Sequence, residues 1–118
     1  MKRTMTALLL LAPLWTAHGF AAFLDGNRLL EYCTARGGYG EGACDGYVAG
    51  MVDSRLSQQD KGITPAGFCL PETVNLGQVV WLVTDYLRTH PEELHFTADS
   101  TVHVVLQEAF PCAAPTTD

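Results

Sequence analysis

Positive charge is scarce in this chain of 118 residues: seven Lys and Arg stand against thirteen Asp and Glu. Lys2 and Arg3 sit at the extreme N-terminus, and the other five (Arg28, Arg36, Arg55, Lys61 and Arg88) are scattered. Neutralising phosphates takes clustered cations, so nucleic acid is not expected as a partner. Long apolar runs are missing too. The run from Ala7 to Trp15 falls short of the roughly 20 residues a spanning helix needs, and charges interrupt every later one, so no membrane insertion is expected after the N-terminus. Local catalytic signatures are also absent: there is no Gly-x-Ser-x-Gly elbow, no His-Glu-x-x-His and no glycine-rich phosphate loop. No enzyme activity and no cofactor are therefore expected.

What is present begins with an export signal. Lys2 and Arg3, the Ala7 to Trp15 run and the small residues Ala17, Gly19, Ala21 and Ala22 have the three-part layout of a signal peptide. Residues 1–22 are read as a cleaved leader and 23–118 as one domain, too short for two cores. Four cysteines, Cys33, Cys44, Cys69 and Cys112, lie in that domain. In a small exported chain an even count reads as a disulfide framework. No two cysteines have the short gap of a zinc site, and no Cys-x-x-Cys supports redox catalysis. Such a protein is expected to be exported to an oxidising compartment.

Helical periodicity dominates the rest. Leu29, Leu30 and Cys33 predict a helix over 24–35 with Asp25 as its N-cap and Gly37-Gly38 as its end. Tyr47, Val48, Met51, Val52 and Leu56 predict a second over 43–56, with Gly46 and Gly50 on one face, where close contact with a neighbouring helix would offset their conformational cost. Residues 57–68 read as a long loop. Asn75 and Gln78 have capping-box spacing ahead of Val79, Val80, Leu82, Val83, Tyr86 and Leu87, a third helix reaching Thr89. Pro91 reads as the first residue of a fourth, which runs to Ala109 and buries Leu94, Ala98, Val102, Val105, Leu106 and Ala109. Phe110-Pro111 stops it. The fold class is an all-α, disulfide-stapled four-helix bundle. Of the three pairings four cysteines allow, two helical hairpins favour Cys33 with Cys44 and Cys69 with Cys112.

His95, Asp99 and His103, spaced by four on the predicted fourth helix, form a stripe that could hold zinc or copper. A solvent-facing polar stripe is the plainer reading, and no metal is assigned. Glu92 and Glu93 complement the dipole of a helix start and need no catalytic explanation.

In order, Phe23-Leu-Asp-Gly-Asn27 with Leu29, Leu30 and Cys33, then Cys44-Asp-Gly-Tyr-Val-Ala-Gly50 with Asp53, Phe68-Cys-Leu-Pro71, Gln78 to Leu87, His90-Pro91 and Ala109-Phe-Pro-Cys112 resemble the Rap/Tai immunity proteins of type VI secretion systems. The resemblance implies a small helical periplasmic protein, commonly a homodimer, that blocks a peptidoglycan amidase effector. The alternative is a stand-alone periplasmic protein with a chaperone-like or stress role and no cognate toxin. A blocking element must protrude and be rigid. Two segments are candidates: first the 57–67 loop, with Gln58, Gln59, Asp60, Lys61 and Thr64, and second the 88–93 turn, with His90 and Glu92.

Overall fold

The structure is a computed structural model that describes residues 22–113, so the leader predicted over 1–22 lies almost wholly outside the described residues. The described chain forms four α-helices, α1 (Gly26–Thr34), α2 (Gly38–Asp60), α3 (Leu76–Thr89) and α4 (Ala98–Ala109), with a short 3-10 turn, Pro91–Glu93, between the last two. It is all-α, with one isolated backbone bridge between Asp25 and Thr97 among the described residues. No helix of the described residues is long and apolar enough to cross a membrane.

α1 starts where Asp25 accepts a hydrogen bond from the Arg28 backbone N–H at 2.9 Å, which satisfies one orphan donor of the first turn. The chain then reverses through Gly37 and Gly38, both in the left-handed region (φ 74° and 72°) where side chains other than glycine are strained. Cys33 and Cys44 are joined across this reversal, with Cα atoms 5.0 Å apart.

α2 is longer at both ends than its apolar pattern predicts. Its glycine-rich start is held by the bridge at Cys44 and by the fit of Gly40 against Ala35, where a Cβ would come within 2.6 Å of the alanine methyl. Its end is set by Gly62 (φ 65°), whose N–H bonds back to the Gln59 carbonyl, and not by Leu56. Residues 57–60 are therefore helical. The expected packing role of Gly46 and Gly50 is not found: both are exposed, and a Cβ added to either would meet nothing within 4 Å.

α3 carries the predicted capping box in full, with Gln78 N–H donating to Asn75 Oδ1 (3.0 Å) and Asn75 N–H donating to Gln78 Oε1 (2.9 Å). α4 begins at Ala98 and not at Pro91. The intervening strand of backbone is taken by α1: Gly26 N–H donates to the Phe96 carbonyl (2.9 Å), Asn27 N–H to Leu94 (3.1 Å), and Ala98 N–H to Leu24 (3.0 Å). Gly26 permits this approach, since a Cβ there would lie 2.9 Å from the Leu94 backbone. Ala98, Val102, Val105 and Leu106 are buried as predicted, but Leu94 is only half-buried and Ala109 is exposed. The second bridge, Cys69 to Cys112, ties the approach to α3 to the end of α4, and Cys69 N–H donates to the Phe110 carbonyl at 2.8 Å beside it. Phe68, next in sequence, is fully buried among Leu29, Val48, Val83, Val102 and Leu106.

Candidate partner-binding surface

The two segments proposed from sequence are built differently. Gln58, Gln59 and Asp60 are the last turn of α2, with Lys61 as its C-cap. Gln59 is turned inward and spent internally: its Oε1 accepts from the Gly67 N–H (3.0 Å) and its Nε2 donates to the Phe68 carbonyl (3.1 Å). Gln58 donates to Ser54 Oγ (3.1 Å), and Thr64 is half-buried with its N–H directed at the Gln58 carbonyl (3.4 Å). Asp60, Lys61 and Ile63 are exposed on this segment.

The second segment is a corner fixed from two sides. The backbone of 94–98 is bonded to 24–27 as described, and His90 caps α3 by donating its N–H to the Tyr86 carbonyl (3.0 Å). The His90 ring stacks on Tyr86, centroid to centroid 3.9 Å, with Nδ1 within 2.9 Å of the same carbonyl. The Tyr86 hydroxyl donates to Glu93 Oε2 at 2.8 Å. Burial, that hydrogen bond and the charges of Glu93, Glu108 and Glu92 push the phenol up to about 12. Glu92 is exposed on the 3-10 turn. The hydrogen bonds of the two segments share no residue, so they are separate features of the surface.

The predicted histidine stripe is broken by the late start of α4. His95 lies in the turn ahead of the helix, its ring against Phe96 (centroids 4.1 Å). The Asp99 carboxylate faces Arg55 at 3.9 Å. His103 is half-buried edge-on to Phe68 and beside Gly67, its Nδ1 buried without a hydrogen-bond partner. Burial, then the nearby Arg55 cation, holds its pKa below the ordinary histidine value, against a smaller opposing effect of Asp99. No three His, Cys, Asp or Glu side chains of the described residues are grouped to hold a metal.

One surface went unread in the sequence. Val74, Gly77, Gln78, Trp81, Leu82 and Phe110 line an open groove of about 510 Å³ with no charged residue in its lining. Trp81 is 64% exposed and sits off the apolar face that Val79, Val83 and Leu87 bury. The signal was available: a tryptophan on the solvent side of a strongly amphipathic helix.

In comparisons with known proteins, the family model described as Rap1a immunity proteins matches residues 25–112. No curated protein and no solved structure matches the chain.

Proposed function

Because the chain belongs to the Rap1a immunity protein family, we propose that it is a periplasmic immunity protein that binds and blocks a peptidoglycan amidase effector of a type VI secretion system. The observation that carries this reading is the extent of the match, which runs from the N-cap of α1 to the last bridged cysteine and so takes in the whole folded unit. Two features support the compartment: every cysteine is bridged, as suits an oxidising environment, and the N-terminus reads as a leader. Blocking a cleft needs no chemistry from the inhibitor. It needs a surface that keeps its shape.

The corner at His90 and Glu92 is the better blocking element. Its backbone is pinned to α1 and its side chains are stacked and hydrogen-bonded, whereas Gln59 of the other segment is already committed inward. Gln58, Asp60, Lys61 and Thr64 then form the flank of the contact. The uncharged Trp81 groove is the surface through which an acidic chain could meet a second copy of itself without opposing charges, which supports a homodimer.

The test pairs the oxidised protein with any peptidoglycan amidase found encoded beside its gene, and the absence of such a neighbour counts against the proposal. Inhibition of peptidoglycan cleavage at one-to-one stoichiometry, with a Kd on the order of nanomolar, is expected. Glu92→Arg should weaken it more than Asp60→Arg, and Trp81→Glu should convert a sedimenting dimer to monomer. Undiminished amidase activity in the presence of excess protein would sink the proposal.

A further inference from the structure

Beside the His90 corner, residues of α3 and α4 line two clefts, of about 270 Å³ and 430 Å³, that share Tyr86 and Glu108. The two clefts adjoin at these residues and are taken together as one groove. Val104 and Val105 contribute apolar lining, Tyr86 and Phe96 present aromatic rings, and the carboxylates of Asp85, Glu93 and Glu108 stand along the length. Phe96 is half exposed here, although a large apolar ring gains by burial.

Among the described residues, none of the three carboxylates forms an ion pair. The ion pairs among the described residues, Arg28 with Glu31 and Arg55 with Asp99, lie elsewhere, and Arg88, the one cation on α3, does not line the groove. Glu93 uses one oxygen to accept the Tyr86 hydroxyl and keeps the other free. Burial first, and then the Glu93 hydrogen bond and the charges of Glu93, Glu108 and Glu92, raise the pKa of that phenol, so carboxylates of the 3-10 turn and of α4 both act at this ring. The carboxylates are spread along the groove and are not gathered around a point, so the site does not have the form of a metal centre.

We propose that this groove takes an arginine or lysine side chain presented by the effector, its aliphatic stem on the Val104 and Val105 floor and its cationic head between Tyr86 or Phe96 and the Glu93 and Glu108 carboxylates. Such a side chain fits on three counts. Its stem covers apolar surface while its head stays polar. A cation over an aromatic face is attracted by the ring quadrupole. Carboxylates give a guanidinium charge-assisted hydrogen bonds in a geometry that no neutral side chain reproduces. The inference rests on the functional reading above for the identity of the partner, but not for the chemistry of the groove.

Two measurements separate these. The first titrates the oxidised protein, followed by amide chemical shifts, with the peptide acetyl-Gly-Arg-Gly-amide at low salt and with its citrulline isostere. Shifts confined to Asp85, Tyr86, Glu93, Phe96, Val104 and Glu108, and absent with citrulline, are expected. The double variant Glu93→Gln/Glu108→Gln should lose about tenfold in affinity, while Asp45→Asn/Glu72→Gln, which removes as much charge elsewhere, should not. Shifts spread over the whole acidic surface, no shifts at all, or equal losses in both variants would overturn the inference. The second measures the same variants against the amidase: a wild-type complex that the Glu93/Glu108 variant leaves unweakened also overturns it. If wild type binds no amidase, the functional reading falls, and the peptide titration still decides the groove.

Discussion

His103 shows how much one side chain's meaning depends on what lies across from it. In the sequence it reads as part of a solvent-facing stripe; in the fold it is wedged between Gly67, Phe68 and Arg55, and a Cβ at Gly67 would come within 3.0 Å of its ring. Its folded pKa lies below the ordinary 6.5 because burial, and then Arg55, oppose the charged ring. The unfolded chain therefore binds a proton at a pH where the folded one does not. The stability His103 contributes is complete above 6.5 and is lost as pH falls from there through the folded value. Asp99 offsets part of this. The melting temperature of wild type should drop more steeply between about pH 7 and about pH 5 than that of His103→Gln, which does not titrate. Parallel profiles would mean that the ring is not held neutral. Gly26 makes a similar point in the other direction. Asp25-Gly26 reads locally as a helix start, and that is correct, but the reason for glycine is the backbone of Leu94, which no local pattern contains.

Among the elements, α2 departs most from its periodicity, and its glycines give the clearest test. Gly46 and Gly50 are exposed, have open space where a side chain would go, and are not among the residues with positive φ. Each then only costs backbone entropy, so Gly46→Ala and Gly50→Ala should stabilise the fold by about 0.5 to 1 kcal/mol apiece, seen as a raised melting temperature of the isolated protein. A lowered one would show that this face is packed after all. α1 and α3 were legible because caps and apolar spacing agree, down to the capping box at Asn75 and Gln78. The ends of α2 and the start of α4 were not, because tertiary contacts set them: a bridge and the Gly40 contact extend one, and the pairing of 94–98 with 24–27 delays the other. The Tyr86–His90–Glu93 corner inherits this. His90 and Glu92 could be named from the Pro91 interruption, and the stack on Tyr86 is local to the end of α3, but the acidic groove also takes Phe96, Val104 and Glu108 from beyond that turn.

For the molecule as a whole, the two bridges are unequal, and that inequality bears on function. Cys33 and Cys44 are 11 residues apart and Cys69 and Cys112 are 43 apart, so on the chain-entropy account they are worth about 3 and about 4 kcal/mol. For a domain whose total stability is on the order of 5 to 15 kcal/mol, either is a large share. Access runs the other way. Cys44 is buried, 1% exposed, in the core, while Cys69 is exposed, and thiol exchange needs the attacking thiolate to reach a sulfur. Dithiothreitol should therefore open the more valuable bridge first. Timed quenching with an alkylating agent, followed by mass spectrometry, should find a species labelled at Cys69 and Cys112 and still bridged at Cys33 and Cys44. Because the second bridge joins the approach to α3 with the end of α4, this species loses the clamp on the two helices that bound the acidic groove. Its affinity for a partner held at that corner should fall before its helical circular dichroism does. A first-opened Cys33–Cys44 bridge, or binding and helicity lost together, would mean that the molecule melts as one unit and that the second bridge has no separate hold on the surface.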